Sequence, residues 1–312
     1  MEFIESIIMG IVQGLTEFLP VSSSGHLAIA QHVFGITDNN LFLNVMLHIG
    51  TLVAVCIFYR KLILRLIVAF FKMVGDIFTG RFKWSKMDDD RNLVMMIIIG
   101  LLPLFLLFLP VPFVRGMKIK DLADELSAGH LPIVGVSLLI TSMLLFIGMV
   151  FNAKTKRREM RLEMYNPSLG AGRRRLNFMD AVVIGLTQCV AAVFPGISRS
   201  GSTLATGEVA GLNKQTALDY TFVLGIPSIL AAAVLETKDA VTAGLGDVNI
   251  LAVIVGMVVS AVVGYFSISL FKWLLKTDKT YVFVIYTAVI GLLAVIVSII
   301  EKCMGVSNLF GA

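Results

Sequence analysis

Six apolar runs constrain this chain more than any other feature, because each is close to the length of about 20 residues that a helix needs to cross a bilayer core. They cover residues 41–59, 92–110, 132–152, 215–235, 249–271 and 280–301. Two further apolar segments, 2–34 and 179–213, are interrupted midway by Pro, Gly and clustered Ser, which is typical of broken helices. The sequence predicts an all-α integral membrane protein with about six transmembrane helices and two re-entrant broken-helix hairpins.

The composition agrees with lipid as the solvent for much of the chain. Of its 312 residues, 57% are hydrophobic and only 15% are charged, against about 25% charged in an average soluble domain. No Pro/Ser-rich linker separates the apolar runs, so residues 1–312 are expected to form a single membrane domain. Cys56, Cys189 and Cys303 have neither a disulfide pattern nor metal-ligand spacing, and we interpret them as packing residues.

The basic residues predict which loops face the cytoplasm. If the run 41–59 passes from outside to inside, the loops 60–91 and 153–178 each carry eight Lys or Arg on the inner side. Counted over the whole chain, 20 basic residues then lie inside and five outside, with Arg199 left aside. The positive-inside rule therefore predicts that both chain ends lie outside. Basic loops facing anionic lipid also account for the pI of about 9.1, so no nucleic-acid partner is expected.

The two interrupted segments share a sequence pattern. At an offset of 175 positions, and of 176 after one inserted residue, the first segment matches the second at Gly10/Gly185, Gln13/Gln188, Pro20/Pro195, Ser22/Ser198, Ser24/Ser200 and Gly25/Gly201. Apolar bias alone does not supply these residues in the same order. The sequence predicts a duplication, with halves 1–152 and 179–312 joined by the basic cytoplasmic loop 153–178.

The predicted topology makes this duplication an inverted repeat. The first hairpin enters and leaves on the outer side and the second on the inner side. Broken helices of inverted repeats characteristically meet near the bilayer midplane, where half-helix N-termini point at anionic groups. Irregular backbone is tolerated there only against protein or a water-filled cavity. The two turns are therefore expected to line one common pocket.

Polar side chains in the first hairpin are candidates for chemistry. Gln13 and Glu17 are four residues apart and share one helix face. An ionisable group at membrane depth is a functional hypothesis by default, although Glu17 could be a structural carboxylate satisfied by the second turn, and Gln13 an interhelical hydrogen-bonding residue. In the following turn, capping explains one of Ser22, Ser23 and Ser24, but not three serines plus a histidine. His26 could act as nucleophile, acid or base, or be a satisfied structural residue.

The second turn has the composition of an anion site. It surrounds Arg199 with the hydroxyls of Ser198, Ser200 and Thr203 and with backbone N–H groups, all of which favour phosphate oxygens. Helix capping is the alternative role of these hydroxyls. His48, Glu208 and Asp219 are weaker candidates. The sequence has no H-E-x-x-H motif, P-loop or Cys/His metal spacing, so a tightly held transition metal is not expected.

These motifs carry a family resemblance. Gln13-x-x-x-Glu17 with Pro20-Val-Ser-Ser-Ser-Gly-His26, and Pro195-Gly-Ile-Ser-Arg-Ser-Gly-Ser-Thr203, closely resemble the bacterial undecaprenyl-diphosphate phosphatase family, also called BacA or UppP. The resemblance implies hydrolysis of undecaprenyl diphosphate to the monophosphate carrier of cell-wall synthesis, and bacitracin resistance, at the outer face of the bacterial plasma membrane. It implies a site made of Glu17, Ser22, Ser23, His26, Ser198, Arg199, Ser200 and Thr203.

The resemblance also implies a divalent cation, Mg²⁺ or Ca²⁺, although Gln13 stands where some family members have a metal-binding Glu. We hypothesise that Arg199 and the second turn hold the diphosphate, while Glu17 binds the cation or serves as base. Ser23 or His26 then attacks the terminal phosphorus or activates water. The expected partners are the polyprenyl diphosphate and membrane lipids; the oligomeric state stays open, a homodimer included.

Two other functional classes compete with the enzyme. A transporter or flippase of the polyprenyl phosphate carrier is an alternative, because inverted repeats with re-entrant hairpins are a transporter architecture. Such a protein must bind the headgroup but needs no Ser/His/Glu cluster beside the arginine, and the two activities could coexist. A structural scaffold leaves the charge on the broken helices unexplained.

Overall fold

The chain folds into a bundle of helices. A computed structural model describes residues 3–35, 41–84, 87–110, 117–119, 121, 122, 131–166, 170–243, 249–306, 308 and 309. Within these ranges the helices are α1 Phe3–Phe18, α2 Ser23–Val33, α3 Leu41–Phe58, α4 Arg60–Phe78, α5 Asp89–Leu101, α6 Leu131–Arg161, α7 Phe178–Val193, α8 Arg199–Val209, α9 Lys214–Ala243, α10 Ile250–Lys276 and α11 Tyr281–Met304. A 3₁₀ helix, Leu102–Phe108, continues α5. The predicted all-α class is confirmed.

Five apolar helical stretches are long enough to cross a membrane. They are Asp89–Phe108, Leu131–Arg161, Lys214–Lys238, Ile250–Lys276 and Tyr281–Met304. The sixth predicted span, 41–59, corresponds to α3, whose 18 residues, Leu41–Phe58, make it shorter than the other five. At 1.5 Å per residue it reaches roughly 27 Å, slightly less than a typical hydrocarbon core. The protein is a multi-pass membrane protein.

Two segments predicted as loops contain helix. Residues 60–91 include the whole of α4, and α6 continues to Arg161, inside the predicted loop 153–178. In α4 one stripe is buried (Leu66, Ala69, Met73), while Leu64, Phe71 and Phe78 are exposed. The high count of basic residues suggested a loop, but apolar residues at helical spacing between them make an amphipathic helix suited to the membrane interface.

Both broken helices are present, and their turns share the same pattern of serine hydrogen bonds, although Ser22 has a φ of 71° and Ser198 a φ of -67°. The first turn joins α1 to α2, and Ser22 Oγ accepts a hydrogen bond from Gly25 N at 3.2 Å. The second joins α7 to α8, and Ser198 Oγ accepts one from Gly201 N at 3.0 Å. Ser22 Oγ lies 3.3 Å from Ser24 Oγ, and Ser198 Oγ lies 3.3 Å from Ser200 Oγ. Each turn therefore starts its second half-helix with the same serine cap.

Glycines let the helices approach closely at matched positions. A Cβ atom on Gly10 of α1 would lie 2.6 Å from Gly256 O of α10, and one on Gly185 of α7 would lie 2.4 Å from Gly100 O of α5. Small residues at such crossings are typical of membrane helices. The division into halves 1–152 and 179–312 remains a prediction, which these matched crossings support.

Candidate active site

The two turns line one cavity of about 800 Å³. Its polar lining consists of Glu17, Ser22, Ser23, Ser24, His48, Gln188, Ser198, Arg199 and Ser200, together with Ser228 and Glu236, which flank the apolar stretch of α9. Its apolar lining comes largely from the 3₁₀ helix, through Leu104, Phe105, Leu107 and Phe108, and from residues 229–235 of α9. The cavity thus combines a compact polar centre with an extensive apolar wall.

An ion pair between the two hairpins forms the polar centre. Arg199 Nη2, at the start of α8, donates to Glu17 Oε1, near the end of α1. The other carboxylate oxygen, Oε2, accepts from Ser23 Oγ at 2.6 Å and from Gln13 Nε2 at 3.0 Å. Only 6% of Glu17 is exposed. The carboxylate is therefore held by donors from both repeats, and the Ser23 hydroxyl is aligned with a base.

Arg199 keeps donors for an anion. Its guanidinium carries five N–H donors, and its contacts within the described ranges are the bond to Glu17 and a long one, 3.4 Å, from Nη1 to Gly225 O. A Cβ atom on Gly225 would lie 3.4 Å from Nη1, so the glycine leaves room for the guanidinium. The Arg199 side chain is 25% exposed and belongs to the cavity lining. The remaining N–H groups can donate hydrogen bonds to phosphate oxygens.

The hydroxyls predicted to bind phosphate also make structural bonds. Ser22 and Ser198 are the caps of α2 and α8. Ser200 Oγ donates to Leu19 O at 3.2 Å and ties the second turn to the first. Thr203 Oγ1 donates to Arg199 O at 2.7 Å and lies off the cavity lining. Their roles in substrate binding remain predictions, and Thr203 supports the helix that carries Arg199.

His26 is turned away from the Glu17 cluster. Its Nδ1 lies 2.8 Å from Ser22 O and therefore donates to that carbonyl, which leaves Nε2 to accept from Tyr286 OH at 2.9 Å. The imidazole stacks on the Tyr286 ring with centroids 5.5 Å apart and is not part of the cavity lining. The catalytic role predicted for His26 stays a prediction, whereas Ser23 is already bonded to the carboxylate.

Two residues that line the cavity, His48 and Gln188, were given too little weight from the sequence. His48, only a weak candidate, places Nε2 3.8 Å from Glu17 Oε2 and Nδ1 2.8 Å from Asn44 O. Gln188 was noted only as a repeat position. Both are polar residues in apolar helices, which is the signal that singled out Glu17. Glu208 and Asp219 lie outside the lining, and Asp219 pairs with Lys272 at 3.1 Å.

Two side chains of the site carry oxygens that could bind a divalent cation. Among the described residues no group of three or more His, Cys, Asp or Glu could hold a metal. Gln13 Oε1 is buried beside the carboxylate it supports and has no hydrogen-bond partner in the described part of the chain. Carboxylate and amide oxygens are ligands that Mg²⁺ and Ca²⁺ accept. Glu17 and Gln13 are therefore the residues that could hold the predicted Mg²⁺ or Ca²⁺, and the cation itself remains a prediction.

Fold and site together define a class: a multi-pass helical membrane protein whose two broken-helix hairpins meet at a buried Arg–Glu ion pair that lines a cavity. A sequence profile described as "Bacitracin resistance protein BacA" matches residues 6–293. The chain therefore belongs to the BacA family.

Proteins named undecaprenyl-diphosphatase resemble the chain over nearly its whole length. The one from Alkaliphilus metalliredigens is 37% identical over 298 residues, covering 95% of this chain and 98% of the relative. Those from Methanobrevibacter smithii and Bacteroides fragilis (strain YCH46) are 36% and 34% identical, each covering 96% of this chain and 99% of the relative.

Proposed function

We propose that this protein is a phosphatase that hydrolyses undecaprenyl diphosphate to undecaprenyl phosphate and inorganic phosphate, and so recycles the lipid carrier of cell-wall synthesis. The observation that carries the proposal is the bond from Ser23 to Glu17 beside Arg199, inside a cavity with an apolar wall. A hydroxyl, a base and an anion-binding guanidinium are the groups that phosphoryl transfer requires. The names of the relatives agree with this chemistry.

The cavity lining supports a placement for each part of the substrate. The terminal phosphate binds at Arg199 and the second turn, where free N–H donors and the start of α8 favour negative charge. From the headgroup, the bound prenyl chain extends along the 3₁₀ helix Leu102–Phe108 and residues 229–235 of α9, which provide most of the apolar lining. A headgroup site of this kind selects a lipid-linked diphosphate over a soluble one, because the apolar wall stabilises only the lipid.

The chemistry proceeds in two displacements. Ser23 Oγ attacks the terminal phosphorus and its proton passes to Glu17 Oε2, its partner at 2.6 Å; the bond from phosphorus to the bridging oxygen breaks and lipid monophosphate leaves. Glu17 passes this proton to the departing lipid monophosphate and is a carboxylate again. Water then attacks the phosphoserine while Glu17 takes a proton from the water; the bond from phosphorus to Ser23 Oγ breaks, inorganic phosphate leaves, and Ser23 Oγ takes the proton back from Glu17. Arg199 neutralises the charge on the phosphoryl oxygens in both steps. The hydroxyl–carboxylate bond favours Ser23 over His26 as nucleophile.

A divalent cation fits this arrangement. Glu17 and Gln13 Oε1 would hold it, and it would neutralise phosphate charge as a Lewis acid.

The distribution of basic residues supports a cavity that opens on the outer face of the bacterial plasma membrane. A carrier of the polyprenyl phosphate needs no bond between Ser23 and Glu17, so the enzyme is favoured over the flippase. A homodimer remains a prediction.

The test is phosphate release from a long-chain prenyl diphosphate by the purified protein in detergent, with and without EDTA. Wild type is expected to release phosphate and to lose activity in EDTA. Ser23→Ala should lose at least about a hundredfold in kcat, as expected for a nucleophile. Ser269→Ala, which removes an exposed hydroxyl bonded within α10, is the matched control. An inactive wild type overturns the function, and a fully active Ser23→Ala overturns the nucleophile.

A further inference from the structure

Gln188 has a buried side-chain amide whose N–H groups donate no hydrogen bond within the described residues. It lies on α7, is 2% exposed and belongs to the cavity lining. Its Nε2 has no hydrogen-bond partner among the described residues. Buried polar groups in folded proteins are nearly always paired, and an unpaired one destabilises the fold unless a ligand completes it. An unpaired donor at the wall of a substrate cavity is therefore a candidate ligand contact.

Comparison of the two repeats explains why the Gln188 amide has no acceptor within the protein. Its counterpart Gln13 donates Nε2 to Glu17, four residues further along α1, at 3.0 Å. Four residues beyond Gln188 the chain has Ala192, which offers no acceptor. Ala192 also lines the cavity, and its small side chain leaves the space that a carboxylate fills in the first repeat. The amide of Gln13 thus donates to the proposed base Glu17, whereas the equivalent amide of Gln188 has no acceptor among the described residues.

The neighbours of Gln188 show which part of the substrate it faces. One turn earlier on α7, Gly185 contacts Gly100 of α5, and the 3₁₀ helix that supplies much of the apolar lining starts two residues after Gly100. Gln188 therefore stands beside the route of the prenyl chain. The terminal phosphate occupies the centre formed by Ser23 and Arg199. The phosphate that joins it to the prenyl chain lies between these two regions.

We infer that the Gln188 amide donates a hydrogen bond to the lipid-linked phosphate of the diphosphate substrate, and so holds the leaving group. The inference rests on the proposed phosphatase function, because it presumes a prenyl diphosphate in the cavity. Nε2 has no bond to lose, so turning it toward the phosphate breaks no interaction within the protein. The bond remains in place when lipid monophosphate forms, since that product retains the phosphate contacted by Gln188.

Gln188→Leu separates this role from a structural one. The variant replaces an unpaired amide by an apolar group of similar size, so its melting temperature should stay equal or rise. Its inhibition constant for a short prenyl monophosphate should rise roughly tenfold or more, as for the loss of a hydrogen bond to a charged group. Inhibition by orthophosphate, which occupies the terminal-phosphate position, should not change. Gln188→Met, which keeps an unbranched side chain, is the second variant if the leucine fails to fold.

Thr221→Val is the matched control. Thr221 Oγ1 is also buried without a hydrogen-bond partner within the described ranges, but Thr221 is not a cavity residue. Its replacement should leave both inhibition constants unchanged. Wild-type affinity for prenyl monophosphate in a folded Gln188 variant overturns the inference, and so does an equal loss for prenyl monophosphate and orthophosphate. If wild type proves inactive, the proposed function fails, while direct titration of wild type and variant with prenyl monophosphate still decides the contact.

Discussion

At the scale of single residues, the site depends on divergence between two related turns. In the register set by Ser22/Ser198 and Gly25/Gly201, Ser23 corresponds to Arg199, and in the register of the preceding helices Glu17 corresponds to Ala192. One copy supplies the hydroxyl and the carboxylate, and the other supplies the guanidinium that pairs with them. Neither hairpin alone contains the set. The proposed chemistry therefore requires both predicted repeats to meet in one cavity.

Arg199 permits a test that separates charge from geometry. Arg199→Lys keeps the positive charge but loses the planar fork that can hold phosphate oxygens and Glu17 together. Loss of charge-assisted hydrogen bonds worth about 1.5 to 3 kcal/mol should lower kcat/KM roughly ten- to a hundredfold. Arg199→Ala should be worse and should also lower the melting temperature, because Glu17 is then buried without its counter-charge.

The measurement is steady-state phosphate release together with thermal unfolding of both variants. Arg175→Lys, in the basic segment outside the cavity, is the control for a generic effect of the substitution. Full activity in a folded Arg199→Lys protein would mean that the residue acts as a point charge only. Full activity in Arg199→Ala would remove it from the phosphate site.

The sequence identified the central residues but not how each is used. Glu17 and Arg199 stood out because charge at membrane depth is costly. The orientation of His26 depends on Tyr286 of α11, 260 positions away, and local sequence carries no information about that contact. Gln188 was overlooked because its unpaired donor becomes visible only when its neighbours are known. A serine in a turn can cap a helix or bind a ligand, and Ser22 does the first while also lining the cavity.

At the scale of helices, length and apolar periodicity predicted most elements. Both hairpins were found close to the predicted boundaries, since a break at Pro and Gly is a local property of the chain. The long spans start where predicted within three residues, but α6 continues to Arg161 and α9 to Ala243, beyond the predicted ends at 152 and 235. The helix α4 was missed because charge density was given more weight than helical periodicity. The 3₁₀ helix after Leu101 was not predicted either. It follows from Pro103 near its start, which cannot donate the hydrogen bond that would continue α5.

The glycine crossings give a prediction at this scale. Gly185→Ala would place a Cβ atom 2.4 Å from Gly100 O, so α7 and α5 must move apart. The expected loss is about 1–3 kcal/mol of unfolding free energy, typical of overpacking. Gly75→Ala in α4 is the matched control, since its Cβ would have no heavy atom within 4 Å. That variant should gain up to about 1 kcal/mol from helix propensity.

Thermal unfolding in detergent measures both changes. A Gly185→Ala protein as stable as wild type would show that the crossing can relax. In that case the close approach of α7 to α5 would not be needed for stability.

At the scale of the whole molecule, one helix pair breaks the symmetry of the fold. The crossings Gly185/Gly100 and Gly10/Gly256 make α5 the counterpart of α10. After Gly256 the helix α10 continues to Lys276, whereas after Gly100 the helix α5 gives way to the 3₁₀ helix within two residues. The residues of that 3₁₀ helix form much of the apolar wall of the cavity. The proposed lipid route therefore lies where the two predicted halves differ.

The side of the membrane on which this route opens is a prediction that labelling can test. With 20 basic residues assigned inside and five outside, both chain ends and the C-terminal end of α11 should lie outside. Cys303, near that end, is exposed. In a Cys56→Ala/Cys189→Ala protein it should react with a membrane-impermeant maleimide in intact cells.

The inner side needs a second reporter. Met160, exposed at the end of α6, lies in the basic segment 153–178, so Met160→Cys in a background without native cysteines should react only after the membrane is permeabilised. The two sites are each other's control, because one reagent must reach the first and fail to reach the second. Reaction of Met160→Cys in intact cells with protection of Cys303 would invert the topology. The cavity would then open toward the cytoplasm, where an enzyme could not act on lipid diphosphate left in the outer leaflet.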